Sequence, residues 1–204
     1  MDKIQEILTF WFENVSDQTP ISNSHPAVKK WFTKDLEFDC EIKTKFENDF
    51  IKAERGDYHD WETTPTGRLA VVILFDQFSR NMYRGTPKMF AADSLALRLS
   101  LKSIEDKRDQ ELQLIERLFL YMPLMHAEDL KVQKNSVEQF ENLVKESQVK
   151  SSQNTGYYKF TLGYAQKYYD IIKRFGRFSH RNEILNRTST KEELDFLTPA
   201  ASRF

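Results

Sequence analysis

The stretch PTGRLAVVILFDQFSRNMYRG, residues 65–85, decides the fold. Pro65 suits the first turn of a helix and Gly85 its end. Between them, residues 69–75 (LAVVILF) are apolar on every side of the helical wheel. An amphipathic surface helix leaves one face polar; a helix apolar all round belongs in the middle of a bundle, wrapped by others. This run is also the longest purely apolar one, far short of the ~20 residues a membrane span needs.

Working outward, apolar residues recur every three or four positions, and six glycines and six prolines in 204 residues are sparse punctuation. That pattern predicts helices throughout and no convincing strand. Asp2 is placed to cap a first helix whose Ile4, Ile7, Leu8, Trp11 and Phe12 share a face. Pro26 opens a short second helix ending near Trp31 and Phe32. Asp35 begins a longer one with the stripe Leu36, Ile42, Phe46, Phe50 and Ala53, stopped at Gly56; its other faces, dense in charge, read as solvated.

Beyond the central segment, Asp93 is expected to cap SLALRLSLKSI, and a further helix to run from about Asp109 to Tyr121. Pro123, inside LFLYMPLMHAEDL, must kink the helix or start a new one. The segment from Leu124 to about Ser147 reads as helix, SSQNTG as a loop, and residues 157–175 as an aromatic-rich helix ended by Gly176. Thr190 and Glu193 have capping-box spacing. The sum is an all-α chain of about eight or nine helices joined by short loops, one domain over residues 1–204 built of antiparallel helix pairs.

Composition narrows the function classes. A single cysteine, Cys40, permits no intramolecular disulfide, and no Cys/His spacing resembles a zinc site. The N-terminus lacks the features of a signal peptide. A soluble, cytoplasmic protein is expected. The formal net charge of -1 and pI near 6.5 argue against a dedicated nucleic-acid binder. Gly-rich phosphate loops, His-Glu-x-x-His and Gly-x-Ser-x-Gly motifs are all missing from the sequence, so no cofactor and no metal site is implied.

Three polar clusters stand against the most apolar segments. In DQFSRNMYRG, Asp76, Arg80 and Arg84 recur at four-residue spacing and share a helix face, with Asn81 beside them. In PLMHAEDL, His126 could act as acid or base with a carboxylate, Glu128 or Asp129, near it. In RFGRFSHRN, residues 174–182, Gly176 can turn the chain out of a helix, Phe175 and Phe178 can anchor the turn, and Arg174, Arg177, His180, Arg181 and Asn182 decorate a fixed corner. Such a corner favours an anion. The anion can be a ligand's, or the protein's own Asp76, Glu128 or Asp129, because a buried arginine needs a partner.

These three blocks, LFDQFSRNMYRGTPKMFAAD, FLYMPLMHAEDLKVQ and IIKRFGRFSHRNEILNRTSTKEELDFL, together with the N-terminal ILTFWF, resemble in order and spacing a bacterial domain-of-unknown-function family, number nine-two-four. The resemblance spans nearly the whole chain. It implies tetratricopeptide-like helix pairs with a concave surface and leaves the activity unassigned. The pattern matches Asp76, Gln77, Arg80, Asn81, Arg84 and Gly85, then Pro123, His126 and Glu128, then Arg174 to Phe178 and His180 to Asn182. The chain departs from it at Ala127, where serine is expected, at Tyr168, where histidine is, and at Ser179, where proline is.

The leading expectation is therefore a binding module whose polar groove, lined by Arg80, Arg84, Arg177, His180 and Arg181, takes an acidic peptide or a small anion. An enzyme using His126, Glu128 or His180 on a small anionic substrate is the first alternative, and needs a histidine that faces a cleft within reach of a carboxylate. RNA binding through basic residues interleaved with Phe175, Phe178, Tyr168 and Tyr169 is the second.

Overall fold

The computed structural model describes residues 2–198. Ten α-helical segments follow one another among them: α1 (Lys3–Phe12), α2 (Pro26–Phe32), α3 (Leu36–Arg55), α4 (Pro65–Val72), α5 (Ser79–Met82), α6 (Asp93–Glu105), α7 (Leu114–Met125), α8 (Leu130–Lys150), α9 (Thr155–Phe175) and α10 (Lys191–Phe196). A π-helical stretch, Ile73–Phe78, joins α4 to α5 without a break, so the two are physically one helix and the total is nine among the described residues. No strand occurs among those residues, and no helix is long and apolar enough to cross a membrane.

The central helix is central. Leu69 to Phe75 are all buried, and α1, α3, α6 and α7 pack around it. Its neighbours supply an aromatic layer in which Trp11, Trp31 and Phe119 meet edge-on or stacked at centroid distances of 4.8 to 6.3 Å. Rings at such offsets add to the stabilisation from burial alone. C-terminally, α7, α8 and α9 pack in succession. A small satellite core of Ile171, Ile172 and Phe178, with Phe175 and Phe196 against it, holds the chain after α9.

Most boundaries follow the expected local chemistry. Asp2, Asp35 and Thr190 accept the first free amides of α1, α3 and α10, and Gly56 and Gly176 end α3 and α9 in the left-handed conformation, φ 86° and 70°. No atom lies within 4 Å of a Cβ built on Gly176, so Gly176→Ala tests the backbone alone. It should destabilise by about 1–2 kcal/mol, with Gly176→Asn recovering part; an unchanged urea midpoint for the alanine variant would contradict this.

Three expectations need correction. Asp93 does not cap α6: Ala92 occupies the cap position, and the Asp93 carboxylate is engaged elsewhere by arginines. The helix expected from Asp109 begins only at Leu114, behind a short turn at Arg108–Glu111, because Gln113 and Glu116 form a capping box and Asp17 accepts the amides of Leu114 and Ile115 at 2.9 and 3.1 Å. Pro123 neither begins a helix nor leaves residues 124–147 as one. α7 passes through it and stops at Met125, and α8 starts afresh at Leu130 with Asp129 as its cap. Proline lacks the amide a helix interior uses, which makes a nearby end favourable. The four residues between the helices include His126 and Glu128.

Candidate functional site

The π-helical stretch builds the floor of the site. There the Ser79 amide bonds the Leu74 carbonyl, five residues back, so the four-residue ladder is interrupted and carbonyls become free for side chains. Ser79 Oγ donates to the Phe75 carbonyl at 2.6 Å, and Arg80 Nη1 to the Asp76 carbonyl at 2.7 Å. The Asp76 side chain is fully buried. Its Oδ1 lies 2.7 Å from His126 Nδ1 and 3.2 Å from Arg80 Nη1, and Gln77 Nε2 donates to its Oδ2 at 2.5 Å.

Burial pushes the Asp76 pKa up, but Arg80, His126 and Gln77 outweigh it and hold the carboxyl down at about 2. For His126 the balance is reversed. Desolvation lowers its pKa more than Asp76 raises it, and Arg80 lowers it further. The pair at neutral pH is therefore a carboxylate and a neutral imidazole. An ionised Asp76 can only accept, so Nδ1 carries the ring proton and Nε2 keeps its lone pair.

Two arginines stand beside this pair. Arg80 meets Asp93 at 3.0 and 3.1 Å. Arg181, from the turn after α9, meets the same carboxylate at 3.2 Å and donates to the His126 carbonyl at 3.0 Å. Both guanidinium groups lie over the Phe90 ring, 5.7 and 4.6 Å from its centroid. Arg84 lies beyond the end of α5 and is gripped at 2.6 and 2.8 Å by Asp39 of α3, which also accepts from Asn81 at 2.7 Å.

These groups edge one cavity of about 630 Å³. Its polar end presents Arg80, Asn81, Arg84, His126, His180 and Arg181, with Lys29 on the wall from α2. The rest is largely apolar and aromatic: Trp31 and Phe32 from α2, Phe90, Met122 and Met125, and Tyr157, Phe160, Tyr164 and Tyr168 along α9. Among the described lining residues there is no aspartate or glutamate. The carboxylates of Asp39, Asp76 and Asp93 sit behind the cations, holding them without facing the cavity.

The three sequence clusters thus meet only in part. Asp76 supports the wall from behind. Glu128, Arg174, Arg177 and Asn182 lie outside the cavity wall and belong to a clamp on the C-terminal segment. Glu193, buried in the first turn of α10, accepts from Arg177 Nε and Nη2 at 2.7 Å each, from Ser179 Oγ at 3.1 Å and from Asn182 Nδ2 at 3.3 Å. The paired Arg177 guanidinium holds its pKa well below the carboxylate range. Glu128 bonds Arg187 at 2.6 and 3.0 Å and accepts the Phe178 amide at 2.8 Å. Arg174 makes an exposed pair with Glu192. The corner's arginines therefore pair with Glu192, Glu193 and Asp93 rather than with Asp76, Glu128 or Asp129; Glu128 holds the corner through the Phe178 amide, and Asp129 is spent on capping α8.

Among the participants, the sequence does not single out Asp39 or Arg187, and it marks Asp93 and Glu193 only as helix-capping residues. Asp39 had a legible signal. It and Asp49 fall on the apolar stripe of α3, three residues before Ile42 and three after Phe46 respectively, and both are buried.

Fold and site together define an all-helical protein with an aromatic-walled cavity closed at one end by arginines and a carboxylate-backed histidine. Residues 7–200 match the profile of the family described as bacterial protein of unknown function (DUF924), and the chain belongs to that family. It is similar to a solved structure from Agrobacterium tumefaciens, described as the protein of unknown function ATU0120, at 32% identity and a TM-score of 0.78 over 96% of each chain. No curated protein matches the chain.

Proposed function

We infer that the protein binds a small organic anion with an apolar or aromatic body. The observation that carries this reading is the layering of charge: the cations line the cavity, and their carboxylate partners stand behind them. A negative group entering the polar end meets donors first, while the ligand's body lies against Trp31, Phe90, Met122 and the α9 tyrosines. A cavity of about 630 Å³ is in the range typical of small-molecule sites. The acidic-peptide reading loses support because Arg177 is committed to Glu193, and the RNA reading because Phe178 is fully buried.

A cytoplasmic setting belongs to the same proposal and is supported by the one cysteine, Cys40, which is unpaired and exposed. So does a tetratricopeptide-like arrangement, supported by the serial packing of α7, α8 and α9.

The test is thermal denaturation with matched probes. 4-Phenylbutanoate should raise Tm by several degrees when well above its Kd, whereas 4-phenylbutanamide and inorganic phosphate, each lacking one half of the recognition, should not. Equal shifts for the carboxylate and the amide, or none for either, would sink the reading.

A further inference from the structure

A cavity that only binds has no need of a base, yet one is placed at its polar end. His126 sits in the break between α7 and α8 and lines the cavity. Its Nδ1 is fixed at 2.7 Å by a fully buried carboxylate, and no described residue hydrogen-bonds Nε2. The ring is neutral, for the reasons given above, so Nε2 can take a proton. Arg80 and Arg181 flank it, themselves fixed by Asp93. Base and cations come from three different parts of the chain, and each is held by a second group.

We propose that the site is catalytic, with His126 Nε2 removing a proton from the carbon next to the carbonyl of a bound 2-oxo acid and Arg80 and Arg181 holding the enolate that forms. This rests on the anion-binding reading of the same cavity. In the step, the C–H bond breaks and its electron pair becomes the enolate double bond. The carbonyl π pair moves onto oxygen beside the guanidinium groups, and the proton becomes Nε2–H of an imidazolium that Asp76 stabilises. Return of a proton to the same carbon completes an exchange with solvent and consumes no oxidant, reductant or second substrate.

Asp76 is the positioning residue. It fixes the tautomer that leaves the Nε2 lone pair free. An asparagine there could donate its amide to Nδ1, forcing the proton onto Nε2 and removing the base. The groups that set the pH response face His126 from every side: Asp76 and Arg80 on the central helix, Asp93 on α6, Tyr168 on α9, and His180 and Arg181 after it.

The experiment follows 4-phenyl-2-oxobutanoate in deuterium oxide by proton magnetic resonance, reading loss of the C3 hydrogens as exchange and saturation transfer to the phenyl ring as binding. The wild type should accelerate exchange on the order of a hundredfold over buffer, with the rate falling as acid protonates the imidazole. His126→Gln should bind the probe yet exchange it at the buffer rate. Asp76→Asn should also bind it and lose exchange at every pH, which a purely structural role would not predict. Binding without exchange above buffer, or full exchange in His126→Gln, overturns the proposal and leaves the binding reading standing. Absence of saturation transfer in the wild type overturns both.

Discussion

Asp76→Ala is expected to lower stability by about 3–5 kcal/mol, the cost typical of removing one partner from a buried charged cluster. The carboxylate is fully buried and serves His126, Arg80 and Gln77 at once. Without it, Arg80 keeps Asp93 but loses its second neutralising charge, and the His126 ring loses the acceptor that orients it. For a chain of 204 residues the melting temperature should fall on the order of 10 °C. The pH dependence has a definite sign. A folded-state pKa of about 2 against 3.8 unfolded is a contribution present above pH 3.8 and lost as pH falls toward 2. The wild type should therefore lose stability across that window more steeply than Asp76→Ala does. Equal acid slopes for the two proteins would show that Asp76 is not ionised in the fold.

The second large effect is expected at Glu193. It receives Arg177 twice, Ser179, Asn182 and the Thr190 amide, the last at 2.8 Å. Glu193→Ala strands several of these donors in a site that is 2% exposed, and should cost about 2–4 kcal/mol. The damage should concentrate in residues 176–198, detected as faster amide exchange there while α3 and the central helix stay protected. Glu193→Gln keeps two donors' acceptor and should lose roughly half as much. Uniform loss of protection across the chain would contradict a local clamp.

How much of this was legible depends on the range of the interaction. Helix ends set by one or two neighbouring residues, such as Asp35, Gly56, Gly176 and the Thr190–Glu193 box, could be read because capping is local. The buried centre was legible in residues 69–75 because nothing but burial accommodates a helix apolar on all sides. Asp93 was misplaced because a cap position is a local preference, and two arginines from elsewhere in the fold, 13 and 88 residues away, compete for the same carboxylate. Arg84 was set on the face of Asp76 by regular four-residue spacing, but α5 ends at Met82 and releases it to Asp39, 45 residues away. Arg177 and Arg181 were both recognisable as anion seekers; which carboxylate each would find, Glu193 or Asp93, is a fact of tertiary packing.

The π-helical stretch has a consequence for the phase of the central helix. An extra residue in one turn offsets everything after it by about 100°, the rotation per residue of an α-helix. Arg80 and Asn81 reach the cavity with Asp76 behind them because of that offset. Forcing an ordinary four-residue ladder on residues 73–78 at their present number would turn α5 by that angle, whereas excising one of them would keep the phase of α5 and close the carbonyls that Ser79 and Arg80 now bond. The alignment of the wall with its supporting carboxylate is therefore written in the winding of the segment as much as in its chemistry.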